Sequence, residues 1–191
     1  MFRLLDTLAW LACSVYSIIP AFWLLIHSRV EYWRSRSWSP FTVIVPLWIV
    51  TWVVVALISG PWRYFALYRT IWLWIPAIAL FILGFWIYRK AGVHFGKQQL
   101  YGLSELERGT EQRLVTTGIR ARVRHPVYLG HLCEMLAWSL GSGLVICYAL
   151  TLFAIVTGAV MIRQEDAELE RRFGYFFRDY RNSVPALFPK F

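Results

Sequence analysis

Charge is scarce in this chain. Of its 191 residues only 16% are Asp, Glu, Lys or Arg, against roughly 25% in ordinary soluble domains. With 58% hydrophobic residues, a soluble fold of this size could not hide the apolar surface that remains. Cysteine is scarce as well. Cys13, Cys133 and Cys147 all fall inside apolar runs and form no CxxC pair, which excludes a disulfide framework and leaves no zinc signature. They read as small buried hydrophobes. No internal repeat or low-complexity stretch is present. The formal net charge of +9 is spread between apolar runs and gathers on no single basic face with stacking aromatics, so nucleic acid is not an expected partner.

Apolar runs are what the chain has in abundance. The mean hydropathy is +0.49, and the eleven Trp suit a protein whose aromatic rings sit at the two membrane interfaces. Runs long enough to cross a hydrocarbon core of about 30 Å occur at 8–26, 41–59, 71–88 and 144–162. A fifth, 127–141, reaches only about 22 Å as a helix, and Gly141, Ser142 and Gly143 then turn the chain into the last run. The first run lacks a small-residue cleavage site and leads into a basic loop, so it is expected to stay in the membrane. These runs predict an all-α, polytopic integral membrane protein of about five transmembrane helices, with a short helical hairpin and a cytoplasmic C-terminal helix. The whole of 1–191 is expected to form a single integral membrane domain.

Orientation follows from Lys and Arg. With five spans, seventeen of them fall on one side, in the 27–40 and 89–126 loops and the tail, and three on the other. The positive-inside rule places the 89–126 loop and the tail in the cytoplasm and the N-terminus outside. In the tail, Leu169, Phe173, Phe176 and Tyr180 are spaced as the stripe of an amphipathic helix that extends the last span, with Gly174 interrupting it and Val184-Pro185 ending it.

Polar residues crowd at the cytoplasmic boundary in two patches, 118–130 and 163–169. Pro126 suits the first position of a helix and pushes His125 out of helical geometry, so the imidazole is expected to cap the helix entrance. His131 and Glu134 lie three residues apart on the fifth run, either as a structural pair or as a contact for an acceptor. Arg120 and Arg122 read as topology signals and lipid contacts, and His94 has no evident partner.

The ordered series Leu114-Val115-Thr116-Thr117-Gly118, Arg124-His125-Pro126-x-Tyr128-x-Gly130, a hydrophobic hairpin, Glu165-Asp166-x-x-Leu169-x-x-x-Phe173-Gly174, Tyr180 and Val184-Pro185 resembles the signature of isoprenylcysteine carboxyl methyltransferases and bacterial phospholipid methyltransferases. It covers 114–189, about two fifths of the chain. The resemblance implies a cytoplasm-facing pocket for S-adenosylmethionine without a Rossmann sheet, and a tunnel between helices for a lipid-borne acceptor. Residues 1–88 would be a three-span scaffold and 89–191 the cofactor-binding and catalytic region. Arg124, His125, Pro126, Tyr128 and Glu165 are the implied cofactor-binding residues, and Arg163, Glu165 and Tyr128 the implied catalytic ones, with no metal. The implied location is a bacterial inner membrane, with the active site toward the cytoplasm.

Two positions depart from the pattern. Arg120 stands where the family often has an aromatic, and the family arginine one turn before the acidic pair falls near Met161, with Arg163 its nearest substitute. A carboxylate acceptor, of the prenylated cysteine kind, needs no general base and would be held by an arginine fork. An amine headgroup must instead lose a proton, which would give Glu165 or His125 a base role. The arginine-rich pocket mouth favours the carboxylate. Membrane sterol reductases share parts of the pattern and use NADPH, and a non-enzymatic membrane scaffold is the reading from another class.

Overall fold

A computed structural model describes residues 2–35, 41–92 and 114–189. Arg36, His94, Lys97, Arg108, Arg113 and Lys190 lie outside the described residues. Seven α-helices are described: α1 (Phe2–His27), α2 (Val30–Arg34), α3 (Phe41–Ser59), α4 (Trp74–Gly92), α5 (Pro126–Ser142), α6 (Val145–Phe173) and α7 (Tyr175–Ser183). Among the described residues there is no β-strand, only an isolated bridge between Ala66 and Leu144. The all-α polytopic architecture read from the sequence is what the chain adopts.

Four helices, α1, α3, α4 and α6, are long and apolar enough to cross a membrane. α3 shows the solvent most plainly, because it buries only Ile44 and Ser59 while Val50, Leu57 and Ile58 point outward. A helix apolar all round and packed on so few residues belongs in lipid. α1 is tied to it by indole N–H groups reaching hydroxyls across the helix pair, Trp10 to Ser59 at 2.8 Å and Trp52 to Ser14 at 3.0 Å.

The short fifth run becomes α5, 17 residues or about 25 Å, and it lies antiparallel along α4. Small residues permit the approach. A Cβ at Gly84 would meet the Gly130 carbonyl oxygen at 3.2 Å, one at Gly130 would meet the Tyr88 ring at 3.1 Å, and one at Gly141 would overlap Trp74 at 2.8 Å. Such close backbone contact is how helices associate where lipid removes the hydrophobic drive. α5 ends in the predicted turn: Gly143 takes φ +69, its N–H donates to Ser139 O at 2.9 Å, and a Cβ there would sit 2.5 Å from Tyr68 O.

α6 runs parallel to α1, bringing Gly158 beside Pro20 and Glu168 beside His27. One end of the bundle collects the 63–69 loop and the 143–145 turn, where Leu67 N–H donates to Gly143 O and Val145 N–H to Phe65 O. Arg69 pairs there with the buried Asp6 at 2.7 Å. The other end collects His27, residues 120–125 and 165–186, so the described part of the 89–126 segment and the tail share a side, as expected from the Lys/Arg count.

Three expectations are corrected. α4 starts at Trp74, not Ile71, because the Thr70 hydroxyl accepts from Trp72 N–H at 3.3 Å in a local turn that competes with helix. Pro76 then sits in the first turn, where its missing N–H costs nothing. In the tail, Gly174 at φ +58 and ψ −127 ends α6 and resets the helical phase, so the buried stripe is Leu169, Phe173, Phe177, Tyr180 and Val184; Phe176 is 77% exposed and Phe177 fully buried. His125 does precede α5 with Pro126 at its first position, but the imidazole makes no cap hydrogen bond and turns to α6 instead.

Candidate functional site

The site is built where the entrance to α5, the end of α6 and the segment after α7 meet. Pro126 sets the break that leaves His125 out of helical geometry, φ −114 and ψ 63. This frees two main-chain N–H groups to pair outward: Arg124 N–H donates to Pro185 O at 2.9 Å and His125 N–H to Ala186 O at 3.0 Å. The Arg124 guanidinium fastens the same segment, donating to Arg181 O at 3.0 Å and to Val184 O. Tyr180 closes the back, its hydroxyl donating to Arg120 O at 2.7 Å, and burial pushes the phenol pKa up to about 12.

Charged groups meet inside this frame. Arg124 donates to Asp166 Oδ2 at 2.7 Å, and His125 Nε2 lies 2.9 Å from Asp166 Oδ1. His125 Nδ1 is 3.3 Å from Glu165 Oε2, an ion-pair distance that leaves Oε2 buried without a hydrogen-bond partner. Burial alone would lower the His125 pKa, but Glu165 and Asp166 more than offset it and raise it to about 9. At neutral pH the ring is an imidazolium clasped by two carboxylates, a donor and not a base. Tyr128, one turn into α5, stacks on it with centroids 5.7 Å apart and also hydrogen-bonds Glu165.

Of the residues singled out in the sequence, Arg124, His125, Pro126, Tyr128 and Glu165 come together here. Arg163 does not join them: it is exposed, two residues before Glu165 and therefore about 200° round the helix. Asp166 belongs to the site more centrally than its place in the motif suggested, because it links Arg124 to His125. His27, at the end of α1, pairs with Glu168 at 2.9 Å; a lone His after an apolar run gave no signal of this. His131 and Glu134 form no ion pair. The His131 ring sits edge-on between Tyr16 and Tyr88, at 5.3 and 5.4 Å, and Glu134 faces Tyr16. Among the described residues no group of three or more His, Cys, Asp or Glu could hold a metal ion.

A helical membrane bundle with an Arg-Asp-His-Glu cluster at one membrane face, closed by the segment after its last helix, defines the class. The family model described as phospholipid methyltransferase matches residues 72–175, more than half of the chain, and the chain belongs to that family. It is 28% identical over 142 residues to a protein-S-isoprenylcysteine O-methyltransferase of Mus musculus, covering 67% of this chain and 48% of the relative. It is 31% identical over 130 residues to the protein of the same name from Schizosaccharomyces pombe, covering 65% and 51%. A delta(14)-sterol reductase of Mus musculus is 30% identical over 115 residues, 54% of this chain and 27% of the relative. The chain spans about half the length of the methyltransferases it matches. No solved structure matches it significantly.

Proposed function

We propose that the chain is an S-adenosylmethionine-dependent methyltransferase of a membrane-soluble acceptor, led by a carboxylate of the isoprenylcysteine type. The observation that carries the reading is Glu165 Oε2, a buried carboxylate oxygen without a hydrogen-bond partner beside Tyr128 and His125. Oε2 lies at ion-pair distance from the His125 ring, and a ligand carrying an ammonium or hydroxyl donor would supply the hydrogen bond it lacks. S-adenosylmethionine has both and, when bound, supplies an electrophilic methyl group on a sulfonium.

In this reading Glu165 accepts from the cofactor, the Tyr128 and His125 rings wall the pocket, and Pro126 and Arg124 hold its entrance. Residues 1–88 serve as scaffold and 89–191 carry cofactor and catalysis, with the pocket toward the cytoplasm of a bacterial inner membrane. Arg163, on the outward side of α6, has the lesser part of reaching a carboxylate that approaches from lipid. In-line methyl transfer needs alignment and a dry site more than acid or base power, which fits a cluster whose groups are mutually paired.

Phospholipid amine N-methylation is the second reading, favoured by the family description. It needs a base, and with His125 held protonated that part would fall to Glu165.

Calorimetry on detergent-purified protein tests this with S-adenosylmethionine, S-adenosylhomocysteine and NADPH, alongside Glu165→Gln and His125→Ala. Binding of the two methionine-derived ligands, weakened in both variants, is expected. NADPH binding alone would transfer the chain to the reductase reading, and no binding by folded protein would sink the cofactor assignment and favour a scaffold.

A further inference from the structure

Behind the Glu165 cluster, at the same end of the bundle, a cleft of about 380 Å³ opens between the α1–α2 corner and the last turns of α6. Its floor is the buried pair His27 and Glu168, and Arg172 pairs with the other oxygen of Glu168. Glu168 is therefore spoken for on both oxygens. Arg172 nevertheless keeps its Nε–H buried and without an acceptor, a donor aimed inside the protein with nothing to receive it. Two more guanidiniums, Arg29 and Arg171, stand exposed at the rim and line the same cleft, as do Glu31 and Tyr32. Arg171 spends its Nε–H on Ala167 O at 3.3 Å, leaving the rest of its fork for a ligand. With Glu168 neutralised by Arg172 and Glu31 set against one rim arginine, the balance at the mouth is positive.

Position adds to charge. The cleft begins where the apolar run of α1 stops, next to the outward-facing Leu25 and Tyr32, and the end of a membrane-spanning run is where a chain meets lipid headgroups. An unsatisfied buried N–H, two adjustable guanidiniums and an interfacial tyrosine are the parts that recognise a phosphate oxyanion: guanidinium forks match its oxygens, and basic pockets at helix ends hold lipid headgroups.

We propose that this cleft is a phosphate-binding site, filled by the headgroup phosphate of a membrane lipid or by phosphate free in solution. It is separate from the methyl-transfer reading and is tested by binding alone. Thermal unfolding of the detergent-purified full chain is followed during titration with phosphatidylglycerol, with a phosphate-free glycosyl diacylglycerol, and with inorganic phosphate. Stabilisation by phosphatidylglycerol and not by the glycolipid is expected. The rim variant Arg29→Gln/Arg171→Gln, which leaves the His27–Glu168–Arg172 pairs intact, should raise the half-saturating concentration by about tenfold or more. Arg172→Lys, which keeps the charge and removes the Nε–H, should also weaken it. Arg89→Gln/Lys90→Gln, an exposed basic pair at the end of α4, should leave it unchanged. Equal stabilisation by inorganic phosphate, with no further gain from the lipid, identifies the soluble source. The proposal is overturned if the glycolipid stabilises as well as phosphatidylglycerol, if neither phosphate stabilises, or if the α4 pair matters as much as the rim.

Discussion

His125 concentrates the electrostatics of the site in one ring. Its pKa is raised to about 9 in the folded chain against about 6.5 unfolded, so the folded state binds a proton that the unfolded state releases. The stabilisation is fully present below about pH 6.5 and is lost as pH rises through 9, a span worth on the order of 3 kcal/mol. Melting temperatures measured from pH 6 to pH 10 should fall between about pH 6.5 and 9 and level off above, and in His125→Gln the fall should flatten. Asp166→Asn removes the carboxylate that joins Arg124 to His125 and should cost about 3–5 kcal/mol, as breaking a buried pair does. The same substitution at the exposed Asp179 should be nearly silent. The gathering of Arg124, His125 and Glu165 at one place was legible because their spacing around a hairpin repeats a known pattern. The linking role of Asp166 was not, since adjacent helical residues point about 100° apart and a sequence does not say which of two neighbouring carboxylates turns inward. For His27 the obstacle was distance along the chain: its partner, Glu168, is far away in sequence.

Helix boundaries carry the next layer of consequence. The apolar runs announced the long helices, and Gly141-Ser142-Gly143 announced the turn, because period and turn chemistry are local. The tail stripe was misread at Phe176 because a glycine at positive φ resets the phase by an amount that spacing alone does not contain. Phe177→Ala should therefore cost about 3–5 kcal/mol, while Phe176→Ala should change the melting temperature little in the same detergent. Two glycines give a matching contrast. Gly143→Ala forces a Cβ into Tyr68 at positive φ and should destabilise by about 1–3 kcal/mol. Gly158→Ala meets nothing closer than 3.9 Å from Pro20 in the middle of α6, and should be neutral or stabilising by up to about 1 kcal/mol.

Seen whole, the molecule sorts its polarity along the membrane normal. The 63–69 loop and the 143–145 turn form one end, and the paired charges around His125 and Glu168 form the other. With the basic end toward the cytoplasm, a single cysteine at Ser183 should be labelled by an impermeant maleimide only in inverted vesicles, and one at Leu67 only in right-side-out vesicles. The reverse result would turn the protein over and place the site outside. The native thiols do not interfere with this assay, since Cys13, Cys133 and Cys147 are all buried.

The two main-chain bonds that carry Arg124 and His125 onto Pro185 and Ala186 impose an order on biogenesis. Helices α1 to α6 can enter the bilayer and find one another while synthesis continues, since helices satisfy their own backbone groups. The frame around His125 closes only when the stretch beyond α7 has left the ribosome and folded back on a loop translated long before. A nascent chain halted short of Pro185 would be inserted and helical, with the N–H groups of Arg124 and His125 still facing water. Closure of the frame around His125 thus waits on the stretch beyond α7, whatever order the helices take in the bilayer.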